Sequence, residues 1–218
     1  MKACKKIVAL ILALAMVFVI PSMAYAADDT AEDDSVVSAA KVANMYILYS
    51  VANPSCPHMW IYIENTSNKT LMVGHYKLPA GEAVSIGNWK DRGNGGGVHY
   101  NLERYWVKDE TYSRTIYLKT TLTELEVSSI SACIDTHDTW SWVHNCAWLA
   151  TAIWNRGSIM LIPFLLSPTL GQLFMILYGA KDLDFHIQKL TNGKKCYKHT
   201  ADGLVSVNSG ALYTTTGV

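Results

Sequence analysis

The chain has 218 residues, half of them apolar, with 18 Lys+Arg balanced by 18 Asp+Glu. The 7 Trp, 12 Tyr and high apolar share supply a real core and exclude global disorder, while 6 Pro and 14 Gly exclude a collagen-like or low-complexity chain. Zero net charge without a basic run argues against nucleic acid as a partner.

The first segment reads as a targeting signal. Three lysines fall in Met1–Lys6, and Ile7–Ile20 is an unbroken apolar run of 14. Pro21, Ser22 and the small-residue pattern Ala24-Tyr25-Ala26 follow. A basic start, a short apolar stretch and A-x-A describe a secretory signal peptide over residues 1–26, cut after Ala26. The run is shorter than the ~20 residues of a membrane span. Met160–Leu166 is apolar, but Pro163 interrupts it. The expectation is a secreted, extracytoplasmic chain with no transmembrane anchor after cleavage. Without residues 1–26 the charge becomes −3, and four cysteines remain: Cys56, Cys133, Cys146 and Cys196. Four cysteines allow three connectivities, and the sequence does not choose among them.

Residues 27–40 read as a solvated acidic tail, with five acids in Ala27–Ser35. The rest, 41–218, reads as one domain. Val42–Val51 is rich in β-branched and aromatic residues and predicts a strand. Asn53–Pro57 is a turn. His58–Glu64 (HMWIYIE) is the clearest strand, Asn65–Thr70 a loop, and Leu71–Leu78 a returning strand ended by Pro79. Val84–Trp89 predicts a short strand and Asp91–Gly97 a glycine-rich loop, with further strands at Val98–Trp106 and Ser113–Leu118.

Helical spacing then begins. Thr121 and Glu124 fit a capping box, with Leu122, Leu125, Ser129 and Cys133 on one face. That helix ends near Asp135–Asp138. Asn145–Trp154 predicts a second helix that buries Leu149, Ala150, Ile153 and Trp154. Ser167-Pro168 opens a third, reaching Tyr178. Weak strand signals follow at Leu204–Val207 and Ala211–Tyr213. Strands first and helices later indicate an α+β domain with a mainly antiparallel sheet.

Three groups of residues are candidates for chemistry. Cys146 stands at a predicted helix start with Asn145 as N-cap, where the helix dipole and free N–H groups favour thiolate. Its alternative reading is a small core residue. His58 and His75 lie on two strands joined by a short loop. In an antiparallel hairpin with Ile63 opposite Thr70, or with Glu64 opposite Leu71, they share a face with Trp60 and Tyr62, as a base and its orienter or as two unrelated surface histidines. Cys133, His137, His144 and Cys146 are zinc-ligand types within 14 positions, but at no regular zinc spacing. No metal or other cofactor is expected.

The order of these motifs is distinctive. A strand opening His58-Met-Trp60-Ile-Tyr62-Ile, a second histidine in Val73-Gly74-His75-Tyr76 and a much later helix opening Asn145-Cys146 resemble the circularly permuted NlpC-type papain-like hydrolases. That group includes the lecithin:retinol acyltransferase-like proteins and bacterial secreted relatives. The resemblance spans Cys56 to Trp154. It implies a papain-like fold with Cys146 as nucleophile, His58 as general base and His75 as the group orienting His58. The Cys146 backbone N–H would be an oxyanion donor.

Trp60, Trp142 and Trp148 are the expected substrate-binding aromatics. The resulting expectation is a secreted cysteine hydrolase, an amidase or peptidase on a peptide or acyl substrate such as a cell-envelope peptide. The alternatives are a lipid acyl hydrolase or transferase, or an inactive binding module that keeps the fold.

Overall fold

The computed structural model describes residues 39–50, 57–90, 95–106, 115–163, 167–188, 190 and 195–207. The expected signal peptide, most of the acidic tail, Cys56 and the 211–213 segment lie outside these residues. Ala39–Val218 forms one compact unit. Among the described residues it is α+β, with a large antiparallel sheet and four helices.

The strands are β1 (Lys41–Ser50), β2 (His58–Asn65), β3 (Leu71–Val73), β4 (Tyr76–Leu78), β5 (Ala83–Trp89), β6 (Gly97–Tyr100), β7 (Thr115–Thr123), β8 (Lys181–Asp182), β9 (Tyr197–Thr200) and β10 (Gly203–Ser206). The helices are α1 (Leu102–Trp106), α2 (Glu124–Asp135), α3 (Cys146–Gly157) and α4 (Pro168–Leu177). Eight strands make the main sheet in the order β10-β9-β6-β5-β2-β1-β7-β8, and β3 and β4 form a separate hairpin.

The central strands are buried on both faces, and their period-2 alternation sorts two different cores. Met45, Ile47, Tyr49, Met59, Ile61 and Ile63 face α2 and α3, meeting Val127, Ile130, Leu149, Ile153 and Trp154. Tyr46, Leu48, Trp60 and Tyr62 face the other way. There Phe185 covers them, with its ring 4.5 Å from Tyr46 and perpendicular to Tyr117 at 5.1 Å.

The helix ends follow local chemistry. The capping box is formed by Thr123 and Glu126, two residues later than the spacing predicts. The Thr123 N–H donates to Glu126 at 2.6 Å, and the Glu126 N–H donates to the Thr123 hydroxyl at 3.3 Å. Because β7 runs on through Thr121 and Leu122, those residues belong to the sheet. The buried face of α2 is therefore Val127, Ile130, Cys133 and Ile134, while Leu125 is exposed. Asn145 caps α3 as expected, accepting from Ala147 at 3.0 Å and Trp148 at 3.2 Å. Pro168 opens α4, where Ser167 makes no side-chain cap bond.

Two strand expectations change. Leu71–Leu78 is not one strand beside His58–Glu64. Gly74, at φ +56°, turns it into the β3–β4 hairpin with Val73 opposite Tyr76. The partners of β2 are β1 and β5, so no register places His75 across from His58. Val98–Trp106 also divides, into β6 and α1. Between them Asn101 adopts φ +67°, a left-handed conformation that asparagine tolerates better than most residues. Its side chain accepts from Arg104 at 3.0 Å and donates to the Tyr76 hydroxyl at 3.0 Å. Arg104, itself buried, also donates to Gln188 and to the Ala83 carbonyl. This corner aims Glu103 into the protein.

Asn101→Gly is expected to lower unfolding free energy by about 1–3 kcal/mol through the lost side-chain bonds. Asn101→Val adds the left-handed penalty of roughly 1–2 kcal/mol. Urea unfolding of the two variants checks the order, and a valine variant as stable as the glycine variant would contradict it.

Candidate functional site

Cys146, a half-buried residue, is the first residue of α3. The imidazole of His58 and the backbone N–H groups of Met59 and Ala147 lie close enough to its sulfur to favour the thiolate. His58 opens β2 and is 6% exposed. Its ring lies over Trp89 at 4.0 Å and is stacked on Trp60 at 5.6 Å and 15°. Its Nε2 meets Glu103 Oε1 at 3.0 Å.

Glu103 has no solvent exposure. Its carboxylate is fully engaged: Trp89 Nε1–H donates to Oε1 at 2.9 Å and the Ser85 hydroxyl donates to Oε2 at 2.8 Å. Ser85, Gly87 and Trp89 point to the same side of β5, two residues apart. Ser85 and Trp89 donate, and Gly87 leaves the space. A Cβ on Gly87 would collide with Glu103 Oε1 and come within 3.1 Å of His58 Nε2. Asn88, on the other side of β5, donates to the His144 carbonyl at 2.7 Å and so ties down the segment leading into Cys146.

The electrostatics follow from this packing. Burial alone pushes the His58 pKa down. The charge and hydrogen bond of Cys146, joined by Glu103, outweigh burial and lift it to about 9. Burial pushes Cys146 up, but the imidazolium and the two N–H donors hold it below the ordinary thiol value. For Glu103, burial raises the pKa, while the His58 bond and charge and the Ser85 hydroxyl hold it below the usual carboxylate range. Each of the three shifts favours the charged form: thiolate at Cys146, imidazolium at His58 and carboxylate at Glu103. Cys133 and Cys196 lack such partners. Burial raises both, Cys196 to about 12 with the help of the Glu103 charge. All three thiols are free.

The sequence expectations divide at this point. Cys146 and His58 come together. His75 does not join them: its Nε2 lies 3.6 Å from Asp135 and its ring 4.8 Å from that of His199. The group that holds His58 is Glu103, which the sequence reading did not single out. Its one signal was an acid within the apolar-aromatic stretch Tyr100–Trp106. Trp60 is fully buried beneath His58, so it supports the imidazole and offers no surface to a substrate.

Trp142 is 78% exposed and Trp148 is half-buried between the rings of His137 and His144, at 4.5 and 4.7 Å. Trp140 meets Trp142 edge-on at 5.3 Å, and the Lys90 ammonium lies 5.5 Å from the Trp142 ring. The four zinc-type residues near Cys146 do not converge. His137 Nδ1 is engaged by the Cys133 carbonyl, and Cys146 faces His58.

At pH 6 iodoacetamide is expected to alkylate Cys146 faster than Cys133 and Cys196, whose thiols burial pushes up. His58→Ala should move the apparent pKa of Cys146 up toward the free-thiol value of ~8.5. Peptide mapping against pH checks this, and three cysteines of equal reactivity would contradict it. Gly87→Ala should displace the Glu103 carboxylate and slow alkylation at pH 6 by at least about tenfold, one pKa unit, in a chain that circular dichroism still finds folded.

Comparison with protein-family models, with curated proteins and with solved structures finds no match for this chain, so its chemistry is read from the side chains just described.

Proposed function

We propose that this chain is a cysteine-nucleophile hydrolase of amide, peptide or ester bonds, working through a thioester on Cys146 in a permuted NlpC-type papain-like fold. The observation that carries the reading is the row Cys146, His58, Glu103: a lowered thiol at a helix start, a raised imidazole, and a buried carboxylate holding that imidazole.

The chemistry follows from the row. The Cys146 thiolate attacks the carbonyl carbon and forms the C–S bond, and negative charge gathers on the carbonyl oxygen. The backbone N–H of Cys146 and the positive end of α3 are suited to stabilise that oxygen. As the intermediate collapses, the His58 imidazolium gives its proton to the leaving amine or alcohol. Neutral His58 then takes a proton from water, or from another acceptor, as that oxygen attacks the thioester. The C–S bond breaks and the thiolate and imidazolium return. Glu103 acts through His58: it fixes the ring and favours its charged form.

The signal-like residues 1–26 favour export and a cell-envelope peptide as substrate class. The exposed Trp142 and half-buried Trp148 offer a wall for such a peptide. A lipid ester is the second class. It is favoured by the apolar side chains of Ile159, Leu161, Leu170, Leu173 and Leu177, all more than two-fifths exposed.

Cys146→Ala should abolish turnover of peptide and ester panels while the fold persists, and His58→Ala should nearly match it. Glu103→Gln should lower kcat by roughly 10²–10⁴, as losing the orienting carboxylate does elsewhere. The sign of its pH effect is fixed. Glu103 helps raise His58 to about 9, so its removal moves the alkaline limb of the rate profile to lower pH. Wild-type turnover in the Cys146→Ala protein would overturn the proposal.

A further inference from the structure

His75, Asp135 and His199 come from three distant parts of the chain: the β3–β4 turn, the last residue of α2, and β9. One ligand-type atom from each lies within 4.8 Å of the other two. None of the three takes part in the Cys146 row.

Their present bonding is incomplete. His199 has no solvent exposure, and neither of its ring nitrogens meets a hydrogen-bond partner in good geometry, although the Asp135 backbone approaches it. His75 Nδ1 is also buried without a partner. The His75 Nε2 to Asp135 Oδ1 separation of 3.6 Å is too long for a hydrogen bond. Buried imidazoles normally find partners. Here the two rings lean on each other at 4.8 Å beside a carboxylate, and the charges of Asp135 and Asp138 both act on His199. Unsatisfied nitrogens beside negative charge are what a cation would complete.

We propose that His75, Asp135 and His199 bind a divalent transition-metal ion of the zinc class. Two imidazoles and one carboxylate are borderline N/O donors, which suit zinc and its neighbours better than magnesium or calcium. Ligands of a tetrahedral zinc lie about 3.3 Å apart, given bonds of about 2.05 Å. The ligand atoms lie within 4.8 Å of one another, and the partly exposed side chains of His75 and Asp135, at 35% and 41%, are the ones with room to close on an ion. Buried His199 is the fixed anchor. Three protein ligands leave a fourth position toward solvent for water. The ion would cross-link the hairpin, the end of α2 and the sheet, and so stabilise the folded chain.

The test is independent of the reaction proposed at Cys146, because it uses Cys146→Ser protein, which removes the reactive thiol. After chelator treatment and dialysis this protein is titrated with zinc chloride, with calorimetry, elemental analysis and thermal unfolding as readouts. One equivalent is expected to bind and raise Tm, and magnesium chloride is expected to do neither. His75→Ala and Asp135→Asn, both at partly exposed positions, should each weaken zinc binding at least tenfold and abolish the rise in Tm. Cobalt(II) should give the visible absorption of a tetrahedral site in the parent and lose it in His75→Ala. Absence of a bound equivalent, or binding undiminished by both substitutions, would overturn the proposal.

Discussion

A carboxylate with no solvent around it constrains the rest of this site. Glu103 is buried and charged, and a charge in that position persists only if donors surround it. Three do: His58, Trp89 and Ser85. Removing one partner of such a buried pair typically costs about 3–5 kcal/mol, so stability and chemistry are tied to the same atoms. The geometry before Glu103 serves this placement. The left-handed Asn101 turns the chain out of β6, and Arg104 anchors the far side of α1 through Gln188 and Ala83.

Strand β5 organises the surroundings. One side of it supplies two donors to Glu103 and the gap at Gly87 that admits the carboxylate. Its other side, through Asn88, holds the segment that delivers Cys146. The difference among the three described cysteines follows. All are pushed up by burial, and only Cys146 has an imidazolium and two N–H donors to reverse it. The lowered pKa of this thiol comes from neighbours that no single helix or strand contains.

The sheet explains how such neighbours stay put. Its central strands are covered on both faces, so β2 is clamped between helices and the Phe185 side. His58 is therefore presented from a rigid strand end, with Trp60 and Trp89 limiting its ring. The β3–β4 hairpin lies outside this sheet. That is why His75 belongs with Asp135 and His199, and why two histidines 17 positions apart serve different surroundings.

What the sequence determined by itself was local. Runs rich in β-branched and aromatic residues marked β1 and β2, the Asn145 cap marked the start of α3, and Pro168 the start of α4, because each depends on a few adjacent side chains. The α+β class followed from the order of those elements, and Cys146 and His58 stood out because their types and placement carry chemistry. Tertiary structure decided the partners. Leu71–Leu78 looked like a strand that could pair with β2, but Gly74 folds it on itself and β5 takes that place. Glu103 was hidden in a stretch read as strand, because an isolated acid becomes informative only when donors from strands 14 to 45 residues away close around it. Local pattern encodes which elements form. Which of them meet is set by long-range burial and charge compensation, which sequence spacing does not record.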